Sequence, residues 1–261
     1  MTPGEMWLIA AGAMAAGFVQ GLSGFAFGMV SMSIWVWGVE PRLAAVLAVF
    51  GALAGQVVAA FTVPRHWSWP MLLPLLGGAA VGVPLGVAVL PMLDAGLFKL
   101  AFGSFLVVCC PLMLLAPRLP RVQPRGRLTD ALAGAAGGFM GGLGGFTGVI
   151  PTLWYTLRGL EKDVQRSLIQ NFNLATLAVT MTAYVATGAV HLGMLPGFGL
   201  VAAALLVPAL LGARLYVGLS QQAFRQVVLV LLTLAGAAVL ASGIAAVMGD
   251  EPLAGAGTLI A

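Results

Sequence analysis

The segments GFVQGLSGF (residues 17–25) and GFMGGLGGF (138–146) decide how this chain is read. A shift of 121 residues superposes them, with identities at Gly17/Gly138, Phe18/Phe139, Gly21/Gly142, Leu22/Leu143, Gly24/Gly145 and Phe25/Phe146. The same register extends to Gly38/Gly159 and Glu40/Glu161, and small further shifts pair His66/His191, Pro84/Pro208 and Phe98-Lys99/Phe224-Arg225. Repetition on this scale means that one structural unit is used twice, so it precedes any other fold argument. The chain reads as two homologous halves, 1–117 and 128–261, with an Arg/Pro-rich linker at 118–127. Around that linker, PRLPRVQPRGR carries Arg118, Arg121, Arg125 and Arg127 among three prolines.

Composition sets the medium. Of 261 residues, 61% are hydrophobic and only 8% are charged, against about a quarter in a soluble domain. That excludes a water-soluble fold, and the mean hydropathy of +1.05 excludes coiled coils and disordered tails. Thirty-six glycines suit helices packed closely in lipid. The fold class is therefore an all-α integral membrane protein. On such a protein a net charge of +4 reports orientation, because Lys and Arg stay in cytoplasmic loops; it does not report nucleic-acid binding. Cys109 and Cys110 are adjacent in an apolar run and lack the spacing of a zinc site, so they read as packing thiols. The start, MTPGEMW, lacks a basic n-region and is expected to remain in the mature fold.

A crossing helix needs about 20 apolar residues. The runs 43–63, 69–93, 95–117, 164–190, 193–213 and 226–248 fit one crossing each. Trp7–Trp37 and Leu128–Leu157 are too long for one upright helix, and each holds one copy of the glycine segment in its middle. Charge decides how they run. If both cross once, Arg65 and the four linker arginines lie inside against seven basic residues outside, which is no bias. If both enter and return, Arg65, Arg118, Arg121, Arg125, Arg127, Arg158, Lys162, Arg166, Arg214 and Arg225 lie inside, and only Arg42 and Lys99 lie outside. That asymmetry fits the positive-inside rule. Each half then comprises a glycine-rich re-entrant or broken-helix hairpin plus three transmembrane helices. Three is odd, so the halves are inverted repeats and both termini, including the acidic Asp250-Glu251 tail, fall outside the cytoplasm. Arms of about 15 residues, about 22 Å, would carry the glycine tips deep into the core. Broken helices of inverted repeats that meet near the midplane are a recurring plan of secondary transporters.

At these tips Gln20, Gly21, Ser23, Gly24 and Phe25 in the first segment and Gly142, Gly144, Gly145 and Thr147 in the second are the candidate substrate contacts. A returning arm offers amide N–H groups to an anion, whereas an incoming arm offers carbonyls to a cation, so backbone alone leaves the sign open. Side chains tilt it. No Asp or Glu lies mid-span in any segment, whereas the run at 164–190 opens with Arg166, Gln170, Asn171 and Asn173. Arg166, Asn171 and Asn173 join the candidate set as donors to an oxyanion; their alternative roles are a cytoplasmic anchor and helix–helix hydrogen bonds. The glycine series at 51–55 and 78–86 read as packing. Glu40 and Glu161 read as helix-dipole partners, with proton coupling as the other role. His66 and His191, at helix ends with Trp67 and Trp69 near the first, read as an interfacial belt. Pro151 has no partner in the first half.

Two halves that each open with GF-x-x-GLxGF, followed by a Glu-containing turn and an apolar helix, resemble the TauE/SafE family over nearly the whole chain. Its members are anion permeases described as sulfite or sulfoacetate exporters. The resemblance implies secondary transport of sulfite, small organosulfonates or related carboxylates across a bacterial inner (cell) membrane. On it, Gly21, Ser23, Gly24, Gly142, Gly145 and Thr147 correspond to the family's signature segments. The expected partners are a small anionic substrate and the lipid bilayer, with a coupling proton and a homodimer left open; no cofactor, metal site, enzymatic activity or nucleic acid is expected. GLGGFTG lacks the lysine of a nucleotide-binding P-loop. The alternatives are a passive channel or facilitator for small anions, a metal-ion permease, a membrane-embedded enzyme and an interaction-only subunit. A channel would need a continuous polar stripe, approached only at 164–190. A metal permease is disfavoured by two histidines and two adjacent cysteines. An enzyme would need clustered acid, base or metal ligands, and a mere subunit would not need two glycine breaks.

Overall fold

Thr2 opens the first helix with a capping box: its hydroxyl accepts the Glu5 amide and the Glu5 carboxylate accepts the Thr2 amide. In the computed structural model, which describes residues 2–62, 67–122, 127–215 and 221–249, this helix, α1, covers Pro3–Ser23. It stops where Gly24 takes φ +84°, a left-handed conformation that glycine adopts without steric cost. A nine-residue helix, α2 (Phe27–Trp35), follows. The same device recurs later in the chain: α6 (Leu128–Gly144) ends at Gly145, φ +79°, and α7 (Val149–Leu157) again has nine residues. These helices are unequal, 21 and 9 residues in one case and 17 and 9 in the other, rather than the about 15 residues expected of each arm. Within the two glycine segments only Gly24 and Gly145 turn left-handed, and both sit late in their segments.

Each short helix folds along its long one. Trp35 Nε1 donates to the carbonyls of Leu8 and Ile9 at 3.1 and 3.2 Å, which sets the end of α2 beside the start of α1. In the second half Trp154 Nε1 and Arg158 Nη1 donate to Asp130 Oδ1 at 2.8 and 2.7 Å, tying α7 to the first turn of α6.

Between and after these elements run α3 (Pro41–Thr62), α4 (Trp69–Val89), α5 (Ala95–Leu115), α8 (Lys162–Ala186), α9 (Leu195–Leu215) and α10 (Gln221–Gly249). Six spans are long and apolar enough to cross a bilayer: Pro3–Ser23, Pro41–Phe61, Trp69–Met92, Ala95–Arg118, Leu192–Leu215 and Ala223–Met248. The chain is a multi-pass, all-helical membrane protein. Five of these match runs expected to cross once. The sixth expected run, 164–190, is replaced in the set by α1. It forms α8, but Gln165, Arg166, Gln170, Asn171 and Asn173 make its first half too polar to count as an apolar span.

Helices distant in sequence pack in pairs. α4 lies along α6, α9 along α1, α5 along α10, and α3 packs on α8. Contact between α4 and α6 is backbone on backbone: Gly78, Gly82 and Gly86 abut the carbonyls of Ala131, Ala135 and Phe139, and Gly134 and Gly138 abut Leu75 and Ala79 in return. Dispersion between closely approaching backbones is what holds helices together in lipid. At the centre, α3 is buried from Ala44 to Val49, with Phe27, Met29, Met32 and Trp35 of α2 packed in the same core. Glu40 caps α3, its carboxylate accepting the Arg42 and Leu43 amides, whereas Glu161 caps α8 by position without a side-chain bond. Cys109 and Cys110 are free and buried. Trp67 and Trp69 stack 5.4 Å apart and are exposed, as an interfacial belt requires, and His191 is exposed at the start of a short turn. Arg65, His66, Arg125, Asp250 and Glu251 lie outside the described residues.

Candidate functional site

The two breaks touch. A Cβ on Gly28 would strike the carbonyls of Gly144 and Gly145, and one on Gly148 would strike Phe25 and the Asn173 amide. Polar side chains from α1, α3 and α8 secure this junction. Gln56 Nε2 donates to the Gly24 carbonyl at 2.6 Å, Gln20 Nε2 to the Ala52 carbonyl at 2.9 Å, and Thr147 Oγ1 to Asn173 Oδ1 at 2.8 Å. Tyr184, fully buried, donates to the Gly142 carbonyl at 2.7 Å. Asn, Gln and Thr serve here because irregular backbone at this depth must find its partners inside the protein.

A cavity of about 430 Å³ ends on the first break. Its floor is Ser23, Gly24, Phe25 and Gln170; its walls come from the end of α5, the α7–α8 turn, the first turns of α8 and the start of α10. The size belongs to the class that encloses a small organic ligand. Four basic side chains line it, Arg121, Lys162, Arg166 and Arg225, and no acidic one among the described residues does. A cleft of one sign with apolar walls focuses its field and concentrates counter-ions, here anions. Gln165 braces the rim, its Nε2 donating to the Thr152 carbonyl and the Thr156 hydroxyl at 3.0 Å each.

Polar atoms without a partner gather at this cavity. Thr152 Oγ1, both amide atoms of Gln170, and Nε and Nη2 of Arg225 are shielded from solvent and bonded to no described residue. Gln170 is 1% exposed. A buried donor or acceptor left unmade costs about 1–3 kcal/mol, so a cluster of them beside a cavity makes this the candidate place for a polar ligand. Among the described residues no three His, Cys, Asp or Glu side chains come together as a metal site would require.

The structure separates the residues expected from sequence into two groups. Ser23, Gly24, Phe25 and Arg166 line the cavity together. The others lie off it. Gln20 is spent on α3, and Gly21 abuts Ala209 and Ala213 of α9. Gly142 abuts Val83, Gly86 and Val87 of α4. Gly144 makes room for the Phe146 ring and Met32, and Gly145 meets Ala48 and Val49. Thr147 and Asn173 bind each other, and Asn171 is buried in α8 away from the lining. Sequence reasoning passed over Gln56 and Arg225 as site residues, and noted Gln170 beside Asn171 and Asn173 without adding it to the candidate set. Each was signalled by being a polar interruption of an apolar run, and Arg225 also by being the counterpart of Lys99.

Comparison with curated proteins and with solved structures gives no match. The family model described as sulfite exporter TauE/SafE matches residues 8–239, a stretch that holds both breaks and every wall of the cavity. With that match over most of its length, the chain belongs to the sulfite exporter TauE/SafE family of membrane transporters.

Proposed function

We propose that this protein is a secondary transporter, working as an exporter, for a small oxyanion such as sulfite or an organosulfonate, in the bacterial inner membrane. The observation that carries the reading is the cavity: four cationic walls, no acidic one among the described residues, and an unpartnered Gln170 amide at its floor beside the left-handed Gly24. Charge draws the anion in, the amide can donate to one of its oxygens, and the α2 amides just beyond Gly24 begin a helix whose positive end suits negative charge. The onward path runs between the two breaks.

The same reading takes 1–117 and 128–261 as inverted repeats, joined by the linker at 118–127, with the two broken elements as re-entrant hairpins and both termini periplasmic. Support comes from the matched left-handed glycines, the matched nine-residue return helices, and the crosswise pairing of α4 with α6 and α9 with α1. The cavity mouth, carrying Arg121, Lys162 and Arg166, then faces the cytoplasm. Proton motive force is the expected energy source, and a homodimer is the expected assembly. Reporter domains inserted after Arg121 and after Lys162 should both report cytoplasm; opposite sides would remove the hairpins and the inverted symmetry with them.

The function itself is tested by a melting-temperature panel on the purified full chain in detergent at matched ionic strength. Sulfite, sulfoacetate, acetate and lactate are compared with chloride and with divalent cations. A ligand that binds only the folded state at about a hundred times its dissociation constant adds about 2.7 kcal/mol. Stabilisation by one oxyanion class is the expected result; stabilisation by a divalent cation alone would overturn it.

A further inference from the structure

Arg225 is the fifth residue of α10 and Lys99 the fifth of α5, and Phe98-Lys99 aligns with Phe224-Arg225 in the repeat. Their surroundings differ. Arg225 lines the cavity, its Nε and Nη2 buried and bonded to no described residue, in a lining whose other charges are also basic. A guanidinium with two of its three nitrogens buried and no counter-charge among the described residues is costly, and neighbouring cations deepen the cost. An anion seated in the cavity would supply the missing counter-charge. The planar fork of donors matches two oxygens on one centre, which a sulfite, sulfonate or carboxylate presents and a halide does not.

Lys99 already has company. Its Nζ lies 3.4 Å from Ser242 Oγ and 5.5 Å from the centroid of the Trp37 ring. On the same helix, the region is closed by aromatic packing: Phe146 stacks on Phe102 at 5.1 Å and meets Phe105 at 5.6 Å, and Phe102 stacks on Phe98 at 6.2 Å. Phe146 is the counterpart of Phe25, and Phe25 lines the open cavity. Phe146 is thus buried where Phe25 is open, and Lys99 is partnered where Arg225 has none among the described residues. When the two halves share a sequence pattern, exchanging their two arrangements opens the opposite face.

We propose that Arg225 anchors the oxyanion in the cavity of this state, and that Lys99 takes the same part when the other face opens and Arg225 is covered in its turn. The proposal rests on the transport reading above and names the residues that hold the charge on each side.

The first test uses the melting panel with sulfite and sulfoacetate as probes and chloride as reference. Arg225→Met should melt at or above the wild type in chloride, because the unpaired charge is gone, and should weaken anion binding about 10- to 100-fold. Arg225→Lys should recover part of the binding. Wild-type affinity in Arg225→Met would overturn the anchor while leaving the transport reading intact. The anchor also falls if Arg225→Met melts far below wild type and Arg225→Lys restores melting with no change in anion affinity. No anion shift in the wild type would overturn the transport reading, and the anchor with it. The second test reads radiolabelled sulfite flux in vesicles of both orientations. Arg225→Met should raise KM by about tenfold from the cytoplasmic face and Lys99→Met from the opposite face; equal changes from both faces would overturn the exchange.

Discussion

Replacing Gly82 by leucine is expected to abolish the folded protein. On α4, Gly78, Gly82 and Gly86 recur every fourth residue and so form one stripe, which lies on the backbone of α6. A Cβ at Gly82 would run into the Ala135 carbonyl and the Phe139 amide, and neither can move without shifting the helix. Leucine at this position wedges α4 off α6 and forfeits the contacts on both sides, including those of Gly134 and Gly138 with Leu75 and Ala79. Overpacking a well-packed contact usually costs about 1–3 kcal/mol, and an obstruction by backbone on both sides belongs in the tail beyond about 4 kcal/mol. Size-exclusion of the detergent extract should show loss of the monodisperse peak. Gly77 is the control, one residue away from the stripe with open space around it; Gly77→Leu should elute as wild type. A normal peak for Gly82→Leu would mean that the helices do not meet this way.

Gln170→Leu is expected to do the reverse, keeping the fold and removing the function. The side chain is buried to 1% exposure, and neither amide atom has a partner among the described residues. It also closes on Gly24, whose Cβ position lies 3.2 Å from Gln170 Nε2. A leucine of similar volume removes an unmet polar group that costs about 1–3 kcal/mol, so the melting temperature should rise by a few degrees. Anion affinity and transport should fall about tenfold or more, because a site built to donate to an oxygen loses its donor. A variant that transports normally would take Gln170 out of the site, and one that melts early would make it a structural residue.

Much of this architecture is legible in the sequence because glycine does two jobs that leave the same mark twice. The 121-residue repeat marks Gly24 and Gly145, and both are the left-handed stops at which a long helix ends. Sequence does not separate those jobs. Gly21 and Gly24 are three residues apart in one motif, yet Gly21 is pressed on Ala209 of α9 while Gly24 floors the cavity. That difference is made by a helix almost two hundred residues later, so no local pattern could carry it. The unequal helix lengths follow from the same ambiguity, since Gly17, Gly21, Gly24 and Gly28 can each sit in a helix and only one turns left-handed. The Thr147–Asn173 bond likewise joins residues from different segments, which turns two candidate ligands into a brace. Gln170 and Arg225 become prominent only once the protein groups that could have satisfied them are seen to be absent from the described surroundings.

An oxyanion that passes through the cationic cavity and between the two glycine breaks is the centre of this account. The measurement that tests it most directly is flux in proteoliposomes holding the purified full chain. Radiolabelled sulfite and sulfoacetate are compared against chloride and a divalent cation, under an imposed pH gradient and without one. Saturable uptake of an oxyanion above empty liposomes is predicted, steeper with the gradient and lost in Gln170→Leu. Uptake of the divalent cation with no oxyanion flux would contradict it.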